Sequence, residues 1–227
     1  MAMKSGDERA VLLAEIDAEM RLTERYTGRK KLAPNVHAAM ADVPREEFVS
    51  AIEQEWAYIN RPLPIGHGQT ISQPFIVALM TDLLDPMPNH KILEIGTGSG
   101  YQAAVLSKLV AKVYSIEVVE ELAASAKDRL ARLGYANVEV RCGDGARGWP
   151  EYGPYDGIIV TAAAPEIPPA LVMQLAEGGR MVLPVGHPHT EQTLSVLRKD
   201  AQGEVTVDPL LPVAFVPLVE GREPRLA

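Results

Sequence analysis

The sequence predicts an α/β fold, with a doubly wound, mostly parallel sheet, an N-terminal helical segment and antiparallel C-terminal strands. Apolar positions recur at helical spacing early in the chain, short apolar runs then alternate with amphipathic segments, and two strand-like runs end it without an intervening helix. We divide the chain into residues 1–88, with helices and a long loop, and residues 89–227, with the α/β core and its β extension. The two parts are expected to form one compact unit.

The N-terminal part is predicted to be helical apart from one irregular stretch. Its helical segments are residues 8–27, a short stretch after Pro34, one or two turns over 45–52, and a helix that starts at Pro74. Residues 58–73 form a loop rich in Pro and Gly, and a loop of this length in a compact domain is usually functional. Ser72 is a candidate N-cap for the helix that follows the loop.

The central and C-terminal parts supply the strands of the sheet. Predicted strands are residues 91–95, 112–116, 138–141, 155–161 and 180–184, and predicted helices are residues 101–110, 119–133 and 168–175. Strands that alternate with helices run parallel and are covered on both faces. The remaining runs, 192–198 and 205–219, have no helix between them, which predicts an antiparallel edge.

The composition argues against several classes of function. A formal net charge of -8 and a pI near 5.2 argue against nucleic acid as the main partner. The N-terminus shows no signal-peptide core, and no stretch approaches the roughly 18 apolar residues of a membrane span. The single cysteine, Cys142, forms no internal disulfide and fits a reducing compartment. We therefore expect a cytoplasmic protein that is not bound to membranes or nucleic acid.

The strongest local motif is the glycine-rich segment 94–100, which lies between a predicted strand and a predicted helix. Glycines let the backbone turn sharply and let a ligand approach it closely. A dinucleotide fingerprint needs its third glycine where this chain has Tyr101. The pattern E-x-G-x-G-x-G is instead typical of S-adenosylmethionine (SAM)-dependent methyltransferases, and a plain glycine-rich turn is the alternative. The predicted SAM contacts in this segment are Glu94, Gly96, Thr97, Gly98 and Ser99.

Acidic residues follow the next two predicted strands. Glu117 ends one of them, 21 residues after Gly96, at about the spacing at which nucleotide-binding folds place an acid on ribose hydroxyls. Asp144 follows the next strand, where its carboxylate can accept a hydrogen bond from an adenine amino group and the Gly145 N–H can reach a ring nitrogen. Val118 is assigned to the same site. The alternatives are that Glu117 only stabilises the positive N-terminal end of the next helix and that Asp144 only forms a turn.

These residues and their surroundings resemble the protein-L-isoaspartate O-methyltransferase family over about residues 32–218. The matching segments are 63–74, 92–104, 143–145, 148–150, 155–165, 178–180 and 183–186. The most specific of them are Thr70-Ile71-Ser72 and the Thr-Ala-Ala-Ala-Pro run at 161–165. This chain departs from the family at Gly153, where Ala or Ser is usual, which loosens a turn. It also departs at Val219, where Thr is frequent, so a contact that the Thr hydroxyl makes to cofactor or substrate is missing here.

The resemblance implies that SAM methylates the α-carboxylate of L-isoaspartyl residues in damaged proteins or peptides, a protein repair step that leaves S-adenosyl-L-homocysteine. An ionised carboxylate needs no general base. Ser72 matches the family's active-site serine and is expected to bind that carboxylate or to hold the loop over the site; a purely structural N-cap is the alternative. Further implied cofactor contacts are Thr70, Ile71 and Ser72, and implied substrate contacts are Ile65, His67, Ser72, Val160, Thr161, Ala162 and Ala163.

Other interpretations remain open at this level. His187 and His189 have no nearby cysteine or acid cluster, so no metal is expected. The chain is expected to be monomeric. Rival functions are a SAM methyltransferase for one dedicated isoaspartyl peptide, one for another substrate, and a protein that binds SAM without turnover. Methylation of an isoaspartyl peptide but not of its aspartyl form separates these possibilities.

Overall fold

The computed structural model describes residues 5–187 and 191–219. The helices in these ranges are α1 (Ser5–Thr27), α2 (Pro34–Asp42), α3 (Pro74–Leu84), α4 (Tyr101–Ser107), α5 (Glu120–Arg132) and α6 (Pro169–Gln174). The strands are β1 (Leu63–Gly66), β2 (Gln69–Ile71), β3 (Lys91–Ile95), β4 (Lys112–Glu117), β5 (Val138–Cys142), β6 (Tyr155–Val160), β7 (Leu175–Val185), β8 (Gln192–Lys199) and β9 (Val205–Val213). Short 3-10 helices cover Arg45–Phe48, Gln54–Trp56, Gly145–Arg147 and Pro150–Tyr152.

The central sheet has the strand order β5-β4-β3-β6-β7-β8-β9. The first five strands in this order are parallel, and β8 and β9 are antiparallel to their neighbours. The chain builds outward from β3 to β5, then returns to the other side of β3 at β6. Ligands bind at such a switch in strand order, at the carboxyl ends of the strands. The predicted fold class is confirmed.

The sheet is buried on both faces, as a parallel sheet covered by helices must be. In β3 the side chains of Ile92, Leu93 and Ile95 are all 0% exposed. Ile92 packs in a hydrophobic cluster that also contains Ile16 of α1 and helix α3, whereas Leu93 and Ile95 pack in a second cluster. The N-terminal helices and the sheet therefore share one core on one face.

The loop predicted over residues 58–73 contains a small antiparallel hairpin, β1 and β2. His67 and Gly68 form its turn with φ of 53° and 70°, a backbone region that supports two-residue hairpins. Leu63 and Ile71, which are paired across the hairpin, are buried and anchor it. The strands span only four and three residues, too short for an alternating pattern in the sequence to reveal them.

The last described strand ends earlier than the sequence predicts. Strand β9 stops at Val213, and residues 214–219 turn back toward the sheet, where Pro217 forms a parallel bridge with Ala163 after β6. The C-terminal segment thereby reaches the carboxyl ends of the central strands. No helix among the described residues is long and apolar enough to cross a membrane. His189 lies outside the described residues.

Candidate active site

A cavity opens at the carboxyl ends of β3, β4 and β6, beneath the β1–β2 loop. The open space within it and at its mouth amounts to about 780 Å³. The residues that line it come from every predicted segment of the site and from the C-terminal segment: Gln69, Thr70, Ile71, Ser72, Val77, Ile95, Gly96, Thr97, Gly98, Ser99, Tyr101, Gln102, Ile116, Glu117, Val118, Gly145, Thr161, Ala162, Val216, Pro217, Leu218 and Val219. We refer to it as the cofactor cavity.

The glycine-rich loop between β3 and α4 needs glycine for two separate reasons. Gly96, Gly98 and Gly100 have φ of 92°, 53° and 88°, a region that residues with a Cβ rarely adopt. A Cβ on Gly96 would also lie 2.4 Å from the Thr161 hydroxyl oxygen. That hydroxyl donates to the Gly96 carbonyl at 2.7 Å, so the ends of β3 and β6 are held together.

Glu117 lies at the end of β4 with its carboxylate in the wall of the cofactor cavity. One carboxylate oxygen accepts from the Gly98 N–H at 2.8 Å and the other from the Val119 N–H at 3.0 Å. A carboxylate has about four acceptor positions, so capacity remains for two hydroxyl donors of a ligand. Glu117 thus fixes the glycine loop and still presents acceptors to the cavity.

Glu94 lies behind the glycine loop rather than in the cavity wall. It is 0% exposed, and the Ser115 hydroxyl donates to its carboxyl group. Ser115 in turn shares a hydrogen bond of 2.6 Å with the Thr97 hydroxyl. Burial, followed by the nearby Glu117 charge, raises the pKa of Glu94 to about 8, so the group is protonated at neutral pH. The geometry gives no support to the prediction that Glu94 contacts the cofactor. Glu94 instead supports the glycine loop through its hydrogen bond with Ser115, which is bonded to Thr97.

Gly145 and Asp144 differ in the same respect as Glu117 and Glu94: the first lines the cavity and the second does not. Gly145 lines the cofactor cavity, and a Cβ there would lie 2.3 Å from a methyl carbon of Ile95. The Asp144 carboxylate accepts from the Ala146 N–H at 2.9 Å and lies 3.5 Å from the Arg147 guanidinium. Asp144 is outside the lining of the cofactor cavity and caps the short helix that presents Gly145.

Ser72 lies between the cofactor cavity and a second one. The second cavity, which we call the outer cavity, is lined by Pro62, Thr70, Ser72, Gln73, Ile76, Thr161, Pro212, Val213, Ala214, Phe215 and Val216. Thr70, Ser72, Thr161 and Val216 line both cavities. Helix α3 takes Gln73 as its N-cap residue, so the predicted N-cap role of Ser72 is wrong. Among the described residues, the Ser72 hydroxyl has no hydrogen-bond partner, which leaves it available to a ligand.

The remaining predicted substrate residues divide into three groups. Thr161 and Ala162 line the cofactor cavity, and the Ile65 side chain lies over Gly98, where a Cβ would come within 3.3 Å of it. His67 is exposed at the tip of the β1–β2 hairpin and lines neither cavity. Val160 is fully buried in the core.

Ala163 is already paired within the chain. Its N–H donates to the Val216 carbonyl and its carbonyl accepts from the Leu218 N–H, both at 2.8 Å. The Ala163 backbone is therefore not free to make the substrate contact that the resemblance implies. The C-terminal segment occupies that place and supplies lining residues to both cavities instead.

Several lining residues were not predicted from the sequence. Tyr101 and Gln102 lie in the first turn of α4 directly after the glycine motif, and the Gln102 amide is fixed by a bond of 2.8 Å to the Thr81 hydroxyl. Their place at the start of that helix was the available signal. Val216 and Pro217 carried no such signal, because their contribution depends on the path of the chain after β9. No group of three or more metal-ligating side chains occurs within residues 5–187 and 191–219.

Comparisons with known proteins show which family this chain resembles. The sequence model of the protein-L-isoaspartate(D-aspartate) O-methyltransferase family matches residues 20–223. Protein-L-isoaspartate O-methyltransferase 2 of Syntrophobacter fumaroxidans is 56% identical over 95% of this chain and 87% of its own length. The protein of the same name from a Polaromonas species is 56% identical over 93% of this chain and 100% of its own.

Solved structures show the same likeness. A protein-L-isoaspartate O-methyltransferase superposes with a TM-score of 0.80 at 30% identity, over 92% of this chain and 65% of the other. A Plasmodium falciparum structure of this type, in complex with S-adenosyl-L-homocysteine, superposes with a TM-score of 0.77 at 26% identity, over 93% of this chain and 98% of the other. With a family match over most of its length, this chain belongs to the protein-L-isoaspartate(D-aspartate) O-methyltransferase family.

Proposed function

We propose that this protein transfers the methyl group of SAM to the α-carboxylate of L-isoaspartyl residues in damaged proteins or peptides. The observation that carries the proposal is the shared wall of the two cavities. One cavity lies at three strand ends of a nucleotide-binding type of sheet, and the other lies beside it with Ser72 at the junction. Such an arrangement suits a reaction that needs two ligands aligned rather than a strong acid or base.

The residues of the cofactor cavity fit SAM. Gly96 and Gly145 pack so closely against Thr161 and Ile95 that neither position has room for a Cβ. We assign the ribose hydroxyls to Glu117 and the adenine edge to the Gly145 N–H. Thr97, Gly98, Ser99 and Val118 line the rest of that cavity, together with Thr70 and Ile71 from the loop. When bound, SAM supplies a methyl group already activated on a positively charged sulfur.

The protein's part in the reaction is to position the substrate and to exclude water. The α-carboxylate of an isoaspartyl residue is ionised at neutral pH, so no side chain has to remove a proton. We assign the Ser72 hydroxyl to donate a hydrogen bond to this carboxylate and so to fix its direction of attack. Thr161 and Val216 line both cavities together with Ser72, and we assign the isoaspartyl peptide to the outer cavity.

The test of this function is a methyl-transfer assay with two peptides that differ only in an L-isoaspartyl or an L-aspartyl linkage. We expect methylation of the isoaspartyl peptide and none of the aspartyl peptide. Several unrelated isoaspartyl sequences should all react, as general repair requires, whereas a single reactive sequence would indicate a dedicated substrate. SAM binding without transfer to any of them would overturn the proposal.

We also propose that the protein acts in the cytoplasm as a monomer. The net charge of -8 keeps copies of the chain apart by repulsion, and the lone Cys142 suits a reducing compartment. Sedimentation velocity at increasing protein concentration tests the oligomeric state: one species of about the 24.6 kDa chain mass is expected.

A further inference from the structure

Arg45 is a completely buried cation behind the wall of the cofactor cavity. It opens the 3-10 helix Arg45–Phe48 and is 0% exposed. One guanidinium nitrogen donates to the Ser72 carbonyl at 2.8 Å, and the guanidinium carbon lies 4.9 Å from the centre of the Tyr101 ring. Ser72 and Tyr101 both line the cofactor cavity. A single guanidinium group therefore contacts two residues of the wall from behind.

The charge of Arg45 has no acidic partner within the described part of the chain. Its other two guanidinium nitrogens, Nε and one Nη, have no hydrogen-bond partner there. The neighbouring acid, Glu46, accepts from the Tyr58 hydroxyl and forms an ion pair of 3.7 Å with Arg9. Burial lowers the pKa of Arg45 to about 10, so the group is still charged at neutral pH. A buried charge without a partner is costly to the folded state, which calls for a functional reason.

We propose that Arg45 is a positioning residue whose charge selects the ionised α-carboxylate of the substrate through the Ser72 and Tyr101 wall. This inference rests on the proposed function, in which that carboxylate binds at Ser72. The α-carboxyl group that binds at Ser72 is an anion in the substrate and a neutral methyl ester in the product. The field of Arg45 therefore attracts the substrate and gives no such attraction to the product, which favours release after transfer.

A merely structural role makes a different prediction. If Arg45 only holds the Ser72 loop, its replacement lowers the affinity for carboxylate and neutral ligands alike. If its charge acts on the ligand, its replacement lowers the affinity for the carboxylate ligand alone. A unit charge several ångströms away in a medium of intermediate dielectric changes the affinity for an anion by about tenfold.

The experiment compares two peptides that differ only at the α position of one isoaspartyl residue, a carboxylate in one and a carboxamide in the other. Their dissociation constants are measured by calorimetry with S-adenosyl-L-homocysteine present. We expect the wild-type protein to prefer the carboxylate and Arg45→Met to reduce that preference by about tenfold. Arg45→Lys, which keeps the charge, should retain most of the preference.

Two further variants separate charge from loop support. Arg45→Gln keeps an N–H donor for the Ser72 carbonyl without the charge, and it should lose the preference as Arg45→Met does. Arg129 is the matched control, because it donates to the Ser99 carbonyl at 2.9 Å on the cofactor side of the same cavity. Arg129→Met should leave the carboxylate preference unchanged.

The outcomes distinguish the two proposals. If the wild-type protein methylates the isoaspartyl peptide, but Arg45→Met and Arg45→Gln keep the full carboxylate preference, the role of Arg45 is overturned and the proposed function stands. If the wild-type protein neither binds nor methylates isoaspartyl peptides, the proposed function itself fails. Should Arg45→Met not fold, Arg45→Gln and Arg45→Lys still test the role of the charge. The quantity compared is the same, the ratio of the dissociation constants of the carboxamide and carboxylate peptides.

Discussion

Two kinds of side chain build the site at the scale of single residues. Some present a group to the cavity, as the Ser72 hydroxyl does. Others hold the backbone that faces the cavity, as Asp144 holds the turn at Gly145 and Glu94 supports the loop through Ser115. Glu117 does both, because its carboxylate accepts two backbone N–H groups and also lines the cavity. Substitutions should therefore separate into effects on one ligand and effects on the fold.

Replacement of Ser72 should affect the substrate and not the cofactor. Ser72→Ala removes a hydroxyl that we assign to the substrate carboxylate, and a hydrogen bond to a charged group is worth about 1.5–3 kcal/mol. We expect kcat/KM for an isoaspartyl peptide to fall by about tenfold or more. The dissociation constant of SAM, measured by calorimetry, should change little. Full activity of the variant would remove Ser72 from the site.

Replacement of Glu117 should affect the cofactor first. Glu117→Gln removes the charge and one acceptor position, so either the Gly98 N–H or the Val119 N–H loses its partner. SAM affinity should fall by about tenfold to a hundredfold, as measured by calorimetry. Glu120→Gln, at an exposed position on α5, makes the same charge change outside the cavity and should leave SAM affinity intact. Equal losses in the two variants would argue against a contact between Glu117 and the cofactor.

Glu94 should make the stability of the protein depend on pH. Its pKa rises from 4.5 to about 8 on folding, so the folded state holds a proton that the unfolded state releases between these values. The contribution of this group to stability is therefore complete below about pH 4.5 and is lost as pH rises to about 8, by at most about 1.4 kcal/mol per pH unit. Glu94→Gln cannot release a proton, so it should show a flatter profile in urea unfolding across this window. Identical slopes would contradict the buried neutral carboxyl group.

Sequence reasoning located these residues but not the direction of each side chain. Glu94 was assigned to the cofactor as the first residue of the glycine motif, and Glu117 and Asp144 because they end or follow a strand. Which of them faces the cavity depends on local bonds, such as those of Asp144 to the Ala146 N–H and Arg147. A motif records residue type and spacing, and these bonds are set only once the turn has formed.

At the scale of elements, the N-terminal helix supports the substrate side of the site. The Glu19 carboxylate on α1 accepts from the Asn60 amide at 2.7 Å and from the Gln73 amide at 3.4 Å. The Asn60 side-chain oxygen accepts from the Phe75 N–H at the start of α3 at 3.0 Å. Helix α1 is thus tied to both ends of the loop that carries Ser72, which gives residues 5–27 a structural role that the sequence did not define.

The buried face of α1 should contribute measurably to stability. Ile16 is 0% exposed and packs in the same cluster as α3 and β3. Ile16→Ala should lower the free energy of unfolding by about 2–5 kcal/mol, because it leaves a cavity in a shared core. Val11 lies on the same helix and is 51% exposed. Val11→Ala should therefore lower the free energy of unfolding by about 0.5 kcal/mol or less. Denaturant unfolding of the two variants tests this, and similar values would show that α1 does not pack as described.

Elements with strong periodicity were predictable and short ones were not. The pattern located the central strands, the helices and the antiparallel edge because apolar runs that alternate with amphipathic segments indicate which residues are buried. The pattern did not predict the β1–β2 hairpin or the return of residues 214–219 to Ala163. Both depend on tertiary contacts of a few residues, which no local repeat records.

At the scale of the whole molecule, the sheet brings together segments that are distant in the sequence. The loop at residue 72, the strand ends near residues 96, 117 and 145, and the C-terminal segment near residue 217 meet at one edge. The parallel order of β4, β3 and β6 makes this meeting predictable, because their carboxyl ends share that edge. The junction of two cavities at Ser72 was not predictable, since it depends on the path of the C-terminal segment.

The most direct test is a crystal structure with S-adenosyl-L-homocysteine and an isoaspartyl peptide bound together. We predict the adenosine at Glu117 and Gly145, the peptide in the outer cavity, and the isoaspartyl α-carboxylate against the Ser72 hydroxyl, facing the homocysteine sulfur. A structure with the peptide bound away from Ser72, or with the adenosine outside the cavity at the ends of β3 and β4, would contradict the account.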